Sequence, residues 1–488
     1  MVDQLTHRRW PLIVVALVML LMASLAGPAA NAAPGTSASR LDPGRRSFTG
    51  TIDGADFRVE TPEDWNGTLV LYSHGYYPPV FVPPTIGLTN SPETEEWLLD
   101  HGFALAASNF QGVTGFQVDQ GYRDQLALLA WFDQHVGRPE RTVATGQSMG
   151  VTIADLLVER NPRRFAGVID MCSAHDPLNT FNAALDMGFV VRTLLVDDDD
   201  LALTRPADLR QGQRDSERLQ DAIDAAMDRP DGRARLALAA AMNNVTGWWS
   251  ALEPRPTVPA EQIRQQALWL RNGYLGVSGS SGPFAHADLE AKVGGNPSFN
   301  VGIDYRRQLA RSSQVALVRE AYREAGLDLE ADLDRLNGAP RIAPDPAALA
   351  FMYRTIVPQG QVSAPVVTLH SVGDGGAVPD QERWYAEQVR RHGGGELIRQ
   401  LYVQRGQHCS FSAADEIVAL QTLLARVDSG HWPSTSPARL NAQVEQFDPR
   451  LQVVTDLSRF DPTTGPARAV MPPAFTRFTP PGPQRPSR

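Results

Sequence analysis

The sequence contains two cysteines and one lysine, and it has no long apolar run beyond its first 32 residues. Without a second apolar stretch of about 20 residues, the mature chain offers no segment that would span a bilayer. Its net charge of −10 at pH 7 argues against a nucleic-acid partner, because such proteins present a basic surface. We therefore expect neither nucleic-acid binding nor stable membrane insertion.

The residue patterns of metal and nucleotide sites are also missing. No group of His, Cys and Glu residues has the spacing of a zinc site. The run Asp197–Asp200 lacks the alternating spacing of a calcium loop, and Gly294-Gly295 lacks the lysine of a phosphate loop. The sequence predicts a protein without a metal ion or an organic cofactor.

Residues 1–32 have the pattern of a secretory signal peptide. Arg8-Arg9 precedes an apolar stretch from Leu12 to Leu25, and the segment ends in Ala30-Asn31-Ala32, which has the small residues of a cleavage site. We therefore expect a secreted, extracellular protein whose mature chain begins near residue 33.

Apolar runs alternate with helical patterns in residues 47–175 and again in 362–430. A hairpin turn is predicted at Asp53-Gly54, and Asp119–His135 has helical spacing. Continuous apolar strands are predicted at Thr68–Ser73, Gly102–Ser108 and Phe165–Met171. Strands of this kind, alternating with helices, are typical of an α/β fold with a mostly parallel central sheet covered by helices on both faces.

Residues 176–361 contain helix-like segments and no clear series of strands. The simplest interpretation is a mainly helical cap inserted between the two parts of the sheet domain, 47–175 and 362–430. Two consecutive domains are the alternative, but the second part would then be very small. We predict a flexible segment at 33–46 and an extended, partly disordered, Pro-rich tail at 431–488.

Gly146-Gln147-Ser148-Met149-Gly150 lies between a predicted strand and a predicted helix. A strand, a sharp Gly-x-Ser-x-Gly turn and a helix form a nucleophile elbow, which holds the serine hydroxyl clear of the sheet. Serine is a weak nucleophile and needs a base, which in turn needs an orienting acid. The elbow makes Ser148 the candidate nucleophile.

Two later loops supply the acid and the base. His370–Pro379 follows a predicted strand and contains Asp374, and Gly406–Phe411 follows the next strand and contains His408. With the elbow, these loops resemble the α/β-hydrolase family over about residues 45–175 and 362–428, in the order serine, acid, histidine. Two positions depart from the family's usual pattern. Ser371 replaces a glycine of the acid loop, and Gln407 replaces the glycine that usually comes before the histidine.

The resemblance implies a Ser148, Asp374 and His408 triad. Asp380 is the alternative acid, although it is better placed to open the following helix. His370 is expected to be structural, and so is His175, with a place in the site wall as its alternative. The resemblance also implies an oxyanion hole formed by the main-chain N–H groups of Met149 and Tyr76.

The cap is expected to select the substrate. Tyr77 in the oxyanion loop and the cap residues Trp248 and Trp249 are candidates for substrate binding, and the other aromatic candidates in the cap are Trp269, Tyr274 and Phe284. Each of these side chains has an alternative place in the cap's own core.

Cys172 ends a predicted strand and Cys409 follows the candidate base. Both would lie near the carboxyl edge of one sheet, and the expected compartment is oxidising, so we predict a disulfide between them. Two small buried thiols are the alternative.

These observations predict a serine esterase that cleaves carboxylic esters through an acyl-enzyme, without a cofactor. Its substrate would be a small or polymeric ester or amide, and the sequence leaves the oligomeric state open. Amidase or peptidase activity with the same triad is the first alternative, and a peptidase would use a carboxylate of the cap to anchor a substrate amine. A non-catalytic binding protein on the same scaffold is the second.

Overall fold

A computed structural model describes residues 37–39, 44–79, 81–196, 200–461 and 463–485. The predicted signal peptide therefore lies outside the described residues. The strands, in chain order, are β1 Ser37–Ser39, β2 Arg45–Ile52, β3 Ala55–Pro62, β4 Thr68–Ser73, β5 Ala104–Ser108, β6 Arg141–Gln147, β7 Gly167–Met171, β8 Val366–Gly373, β9 Ile398–Gly406, β10 Val453–Asp461, β11 Gly465–Val470 and β12 Phe475–Thr476.

The helices, in chain order, are α1 Pro92–Asp100, α2 Val118–His135, α3 Met149–Arg160, α4 Pro177–Leu195, α5 Leu209–Met227, α6 Pro230–Ala241, α7 Pro259–Leu268, α8 Pro283–Val293, α9 Tyr305–Arg311, α10 Val315–Ala325, α11 Leu329–Gly338, α12 Pro346–Phe351, α13 Asp380–Arg391, α14 Ala413–Ser429 and α15 Pro437–Val444. Short π-helical segments follow α7 and α12, at Trp269–Leu275 and Met352–Ile356. Short 3-10 turns lie at Gly395–Leu397 and Pro449–Gln452.

Within the described residues, one sheet has the strand order β1-β2-β3-β5-β4-β6-β7-β8-β9-β12. Neighbouring strands are parallel from β5 to β9, and antiparallel strands extend both edges of the sheet. The predicted fold class, a mostly parallel central sheet, is confirmed.

Both faces of the sheet are buried, which explains why its central strands are apolar throughout. Along β4, Leu69 and Leu71 pack into one core with residues of α2 and α3. Val70 and Tyr72 point to the other face and pack with residues of α1 and α14. Successive side chains of a strand point to opposite faces of the sheet. In a strand covered on both faces, no side chain faces solvent, and apolar residues are favoured at every position.

The chain leaves the sheet after β7 and returns at β8, which pairs directly with β7. Helices α4 to α12 lie between these two strands, and many of their apolar residues form a core of their own. None of the described helices is long and apolar enough to cross a membrane.

The end of the chain is better ordered than we expected, so the prediction of an extended tail is wrong for its described part. It contains α15, a hairpin of β10 and β11, and strand β12, which pairs with β9. Arg485 is buried and donates to both carboxylate oxygens of Asp186 in α4, at 2.7 and 2.8 Å. A buried charge must be paired, and this pair ties the tail to the cap.

Pairing at the start of the chain also goes further than predicted. Ser37–Ser39 pairs with β2, within the segment that we expected to be flexible. Ile52 pairs with Ala55 across the Asp53-Gly54 turn, which gives the predicted hairpin.

Candidate active site

Ser148 lies at a sharp turn between β6 and α3. Its backbone has φ 54° and ψ −121°, a conformation that non-glycine residues rarely adopt. The turn brings strand and helix so close that a Cβ at Gly146 would overlap the backbone of Gly150, and a Cβ at Gly150 would overlap the carbonyl of Ser73. The strand, the tight turn and the helix of a nucleophile elbow are therefore all present.

Three side chains that are distant in the sequence meet at the carboxyl edge of the sheet. The Oγ of Ser148 lies 2.8 Å from Nε2 of His408, and Nδ1 of His408 lies 2.8 Å from Oδ2 of Asp374. Asp374 follows β8 and is fully buried, whereas His408 follows β9 and is partly exposed toward a cavity. In this arrangement the ring can take a proton from the hydroxyl while the carboxylate fixes its tautomer.

Ser148, Asp374 and His408 follow one another along the chain, each after a strand of a mostly parallel sheet, and this order is typical of one fold. The chain has the α/β-hydrolase fold.

Backbone donors hold Asp374 in place. Its Oδ1 accepts from the N–H groups of Gly376 and Ala377, at 2.8 and 2.9 Å, which leaves Oδ2 for the histidine. Asp380, the alternative acid, opens α13 and makes no hydrogen bond with His408 among the described contacts.

The loop that carries the histidine is constrained on both sides. Gln407 and Cys409 have φ values of 65° and 57°, and the side chain of Gln407 accepts from the N–H of His408 at 2.8 Å. Cys409 forms a disulfide with Cys172, which directly follows β7. The structure therefore contains the bridge that we predicted, and it ties the His408 loop after β9 to the end of β7, with β8 between the two strands.

The two residues predicted to form the oxyanion hole flank the nucleophile. Met149 is the first residue of α3, and the first N–H groups of a helix have no acceptor within the helix. Gly75 is so close that a Cβ there would lie 3.2 Å from Cβ of Ser148, which brings the adjacent Tyr76 to the site. The Tyr76 hydroxyl is buried without a hydrogen-bond partner, and burial raises its pKa far above the usual value.

A cavity of about 660 Å³ opens at Ser148 between the sheet and the cap. Its aromatic lining residues are Tyr76, Tyr77, Phe116, Phe181, Trp249, Trp269 and Phe411. No Asp, Glu, Lys or Arg lines it among the described residues, so the carboxylate that a peptidase would need is missing from this lining.

The cap aromatics divide into two groups. Trp249 and Trp269 line the cavity and contact each other edge to face, with ring centroids 4.4 Å apart. Trp248 does not line it, so our placement of this residue in the substrate site is wrong. Trp248 packs behind the two catalytic loops, where Gly373 and Gly406 leave room for its ring. Tyr274 and Phe284 are buried in the cap outside this lining.

Sequence reasoning missed two contributors to the site. His74 is buried between the rings of Tyr77 and Phe110, and its Nδ1 lies 2.7 Å from the carbonyl of Gly75. Burial lowers the pKa of His74 to about 4, so the ring is neutral and supports the oxyanion loop. The hairpin of β10 and β11 supplies Thr455 and Leu457 to the cavity wall. The aromatic residues that follow His74 in the sequence were a possible signal for its role. No local sequence pattern indicated that the β10–β11 hairpin would reach the cavity.

Two groups of His, Cys and Asp side chains lie close enough together to hold a metal ion. Cys172, His408 and Cys409 lie close together, but the disulfide occupies both sulfur atoms. Asp155, Asp170 and His175 are buried with ligand atoms within 4.8 Å of one another. His175 is fully buried and does not line the cavity of Ser148, so its alternative place in the site wall is wrong.

No protein-family model matches the chain. An o-phthalyl amidase of Xanthobacter agilis is 28% identical over 419 residues, which cover 80% of this chain and 89% of the relative. An esterase from Aspergillus oryzae superposes with a TM-score of 0.39 at 14% identity, covering 87% of this chain and 84% of that one. Feruloyl esterase B from the same organism gives 0.36 at 12%, with the same coverage. At these TM-scores the superpositions carry no argument, and the fold assignment rests on strand order and site geometry.

Proposed function

We propose that this protein is a serine hydrolase with Ser148 as nucleophile. Its substrate is an amide of an aromatic carboxylic acid whose aryl group carries no charge. The observation that carries the proposal is the continuous set of contacts from Ser148 Oγ through His408 to Asp374, at the wall of a cavity lined by aromatic side chains. The same geometry would cleave esters, whose leaving groups need less help, and esters are the second candidate.

In the proposed reaction, Oγ of Ser148 attacks the substrate carbonyl carbon while Nε2 of His408 takes the hydroxyl proton. The N–H groups of Met149 and Tyr76 bind the oxygen that becomes negative. His408 then gives its proton to the leaving nitrogen or oxygen, and the bond to the leaving group breaks. A water molecule, deprotonated by His408, attacks the acyl-enzyme and releases the acid and free Ser148.

Two observations support the substrate class. The cavity volume of about 660 Å³ is within the range of pockets for small molecules, and its aromatic lining favours stacking against an aryl group. The curated relative is named an o-phthalyl amidase, which favours an aromatic acyl group and an amide bond. An o-phthalyl group carries a second carboxylate next to the scissile carbonyl, whereas no Asp, Glu, Lys or Arg lines this cavity among the described residues. Because a buried charge needs a partner, we propose an aryl group without a charge for this chain.

We also propose that the protein is exported, on the basis of the pattern in residues 1–32. N-terminal sequencing of the protein recovered from the culture medium of an expressing bacterium tests this point. A chain that begins near residue 33 would support it, and an intact Met1 in the cytoplasmic fraction would contradict it.

The activity is tested with four substrates: the 4-nitroanilides and 4-nitrophenyl esters of benzoic and acetic acid. We expect turnover of the benzoyl anilide, a higher kcat/KM for benzoyl than for acetyl derivatives, and loss of all activity in Ser148→Ala. Ser429→Ala, at an exposed serine at the end of α14, is the matched control. Turnover of neither benzoyl substrate, or full activity in Ser148→Ala, would contradict the proposal. Turnover of esters alone would select the second candidate.

A further inference from the structure

Five ionisable side chains form a fully buried cluster behind the catalytic acid. They come from α3, β7, the loop after β7, β8 and α13, and they are Asp155, Asp170, His175, His370 and Glu382. The reaction proposed above uses none of them. Because burying a charge is costly, such a cluster requires an account of where its protons lie.

Glu382 lies at the centre of the cluster and is surrounded by donors. Its Oε1 accepts from Ser173 Oγ at 2.6 Å and lies 2.9 Å from Nδ1 of His370. Its Oε2 accepts from Thr368 Oγ1 at 2.5 Å and from Gln400 Nε2 at 3.0 Å. This environment suits an ionised carboxylate. Although burial opposes it, the hydrogen bonds and charges of His175 and His370 lower the pKa of Glu382 well below its usual value.

His370 faces an acceptor with each of its ring nitrogens. Nδ1 points at Glu382, and Nε2 lies 2.9 Å from the carbonyl oxygen of Ala377. Carboxylate and carbonyl oxygens accept hydrogen bonds, so a ring with hydrogen on both nitrogens, an imidazolium, satisfies both contacts. One contact favours the neutral ring instead: the N–H of Ser173, 3.3 Å from Nδ1, would need a lone pair there. That contact is longer than the one to Glu382.

The rest of the cluster balances these charges. Nδ1 of His175 lies 2.8 Å from Oδ2 of Asp155, and its Nε2 lies 3.7 Å from Oε1 of Glu382. Burial disfavours the charged ring, but Asp155 and Glu382 outweigh it and raise the pKa of His175 to about 10. Burial and the neighbouring Asp155 raise the pKa of Asp170, which keeps its proton. Glu382 therefore lies between the two rings, with Nδ1 of His370 at 2.9 Å and Nε2 of His175 at 3.7 Å from its Oε1.

We propose that His370 is a positioning residue for the catalytic acid, an inference that rests on the proposed function. Its ring is an imidazolium held by Glu382. The ring fixes the turn that holds Asp374 and places a positive charge behind the Asp374 carboxylate. Nε2 of His370 lies 3.7 Å from Oδ2 of Asp374, the oxygen that binds His408. Its bond to the Ala377 carbonyl also fixes the turn whose N–H groups hold Oδ1 of Asp374.

The positive ring has a predictable effect on the reaction. It competes with protonated His408 for the charge of Asp374, so it disfavours protonation of His408 and keeps this base available at lower pH. The other groups that face His370 are Asp380 and Glu382 on α13, with His175 and Asp155 beyond Glu382. On the neighbouring strands the nearest groups are Asp170 in β7 and the neutral Tyr402 in β9.

The charge state is tested first, by ¹⁵N NMR of the intact wild-type protein labelled at its histidines. At pH 8.5 we expect two doubly protonated imidazoles, from His370 and His175, whereas the ring of His74, whose pKa burial lowers to about 4, is neutral. The result does not depend on enzymatic activity, so it remains informative if the proposed function fails. A neutral His370 ring at this pH would overturn the inference, and so would a stoichiometric metal ion bound at Asp155 and His175 by elemental analysis.

The positioning role is tested by the pH dependence of kcat/KM in His370→Gln, with His135→Gln as the control. We expect the acid limb to move up by about one pH unit, because the lost positive charge makes protonated His408 easier to form. Glu382→Gln removes the carboxylate that holds the imidazolium and serves as the second variant if the first does not fold. Its limb should move in the same direction but less far, because the lost negative charge of Glu382 offsets part of the effect. An unmoved limb, even with a lower kcat, would indicate a merely structural role and overturn the inference. An inactive wild type would contradict the proposed function instead.

Discussion

Gly375 lies directly beneath the indole ring of Trp269, so close that a Cβ at this position would overlap Nε1. The neighbouring Gly376 packs against the catalytic base, and a Cβ there would lie 2.9 Å from Cγ of His408. The acid loop therefore serves as the contact between Asp374 and the cap. At these two glycines the acid loop contacts both the cavity residue Trp269 and the candidate base His408.

Gly375→Ala should displace Trp269 or the acid loop and lower kcat/KM by about 10- to 100-fold, because small shifts of catalytic groups are costly. Gly338→Ala is the matched control, because a Cβ at Gly338 meets nothing within 4 Å. Steady-state kinetics on a benzoyl substrate, with the thermal midpoint measured in parallel, checks this prediction. Wild-type kinetics in Gly375→Ala would show that the loop tolerates the displacement.

Asp374→Asn should lower kcat by about three to four orders of magnitude, because an amide neither fixes the productive tautomer of His408 nor stabilises its charged form. Asp380→Asn should retain most activity, since Asp380 makes no described hydrogen bond with His408. Measuring kcat for both variants decides between the two acids. A large loss in Asp380→Asn with activity retained in Asp374→Asn would reverse the assignment.

The disulfide closes a loop between residues 237 positions apart, and it holds the strand end of Cys172 against the His408 loop. The double variant Cys172→Ser/Cys409→Ser should lose about 3 to 5 kcal/mol of unfolding free energy, as is typical for long loops. It should also lose activity, because His408 is less well held. Denaturant unfolding and kinetics check both effects. An unchanged unfolding midpoint would mean that the bridge contributes nothing to the fold.

Glu416 in α14 is buried and accepts hydrogen bonds from Asn90 and Thr94, at 2.7 and 2.8 Å. Burial raises its pKa to about 7, above the value of about 4.5 in an unfolded chain. The folded state therefore holds an extra proton between these values, and the contribution of Glu416 to stability falls as the pH rises through this window.

Glu416→Gln removes that proton dependence. The variant should unfold at a higher temperature than the wild type at pH 8 and differ little at pH 5, with a gain at pH 8 of about 2 to 3 kcal/mol. Glu324→Gln, at an exposed glutamate of α10, is the control. Thermal unfolding at the two pH values measures the difference, and an equal shift at both would show that ionisation of Glu416 is not the cause.

The sheet and the meeting of Ser148, Asp374 and His408 were predictable because they follow from local patterns. Apolar strands and the Gly-x-Ser-x-Gly turn define the elbow, and the carboxyl ends of parallel strands must meet at one edge. Asp374 and His408 lie in loops that follow such strands, and these loops resemble the acid and histidine loops of the α/β-hydrolase family.

The rest depends on contacts between distant segments. Trp248 and Trp249 are neighbours in sequence, but they lie on opposite sides of the catalytic loops, and only the placement of the cap decides which one lines the cavity. The composition of the tail suggested disorder, yet single residues such as Arg485 find buried partners in the cap. Composition averages over a segment and does not reveal such isolated contacts.

The central claim is that Ser148 is an activated nucleophile, and covalent labelling tests it most directly. The intact protein is treated with a fluorophosphonate, digested and analysed by mass spectrometry, with Ser148→Ala and Ser429→Ala treated in parallel. We predict one phosphonyl group per chain, on Ser148, present in Ser429→Ala and absent from Ser148→Ala. A wild-type protein that is folded but unlabelled, or labelled at another serine, would contradict the account.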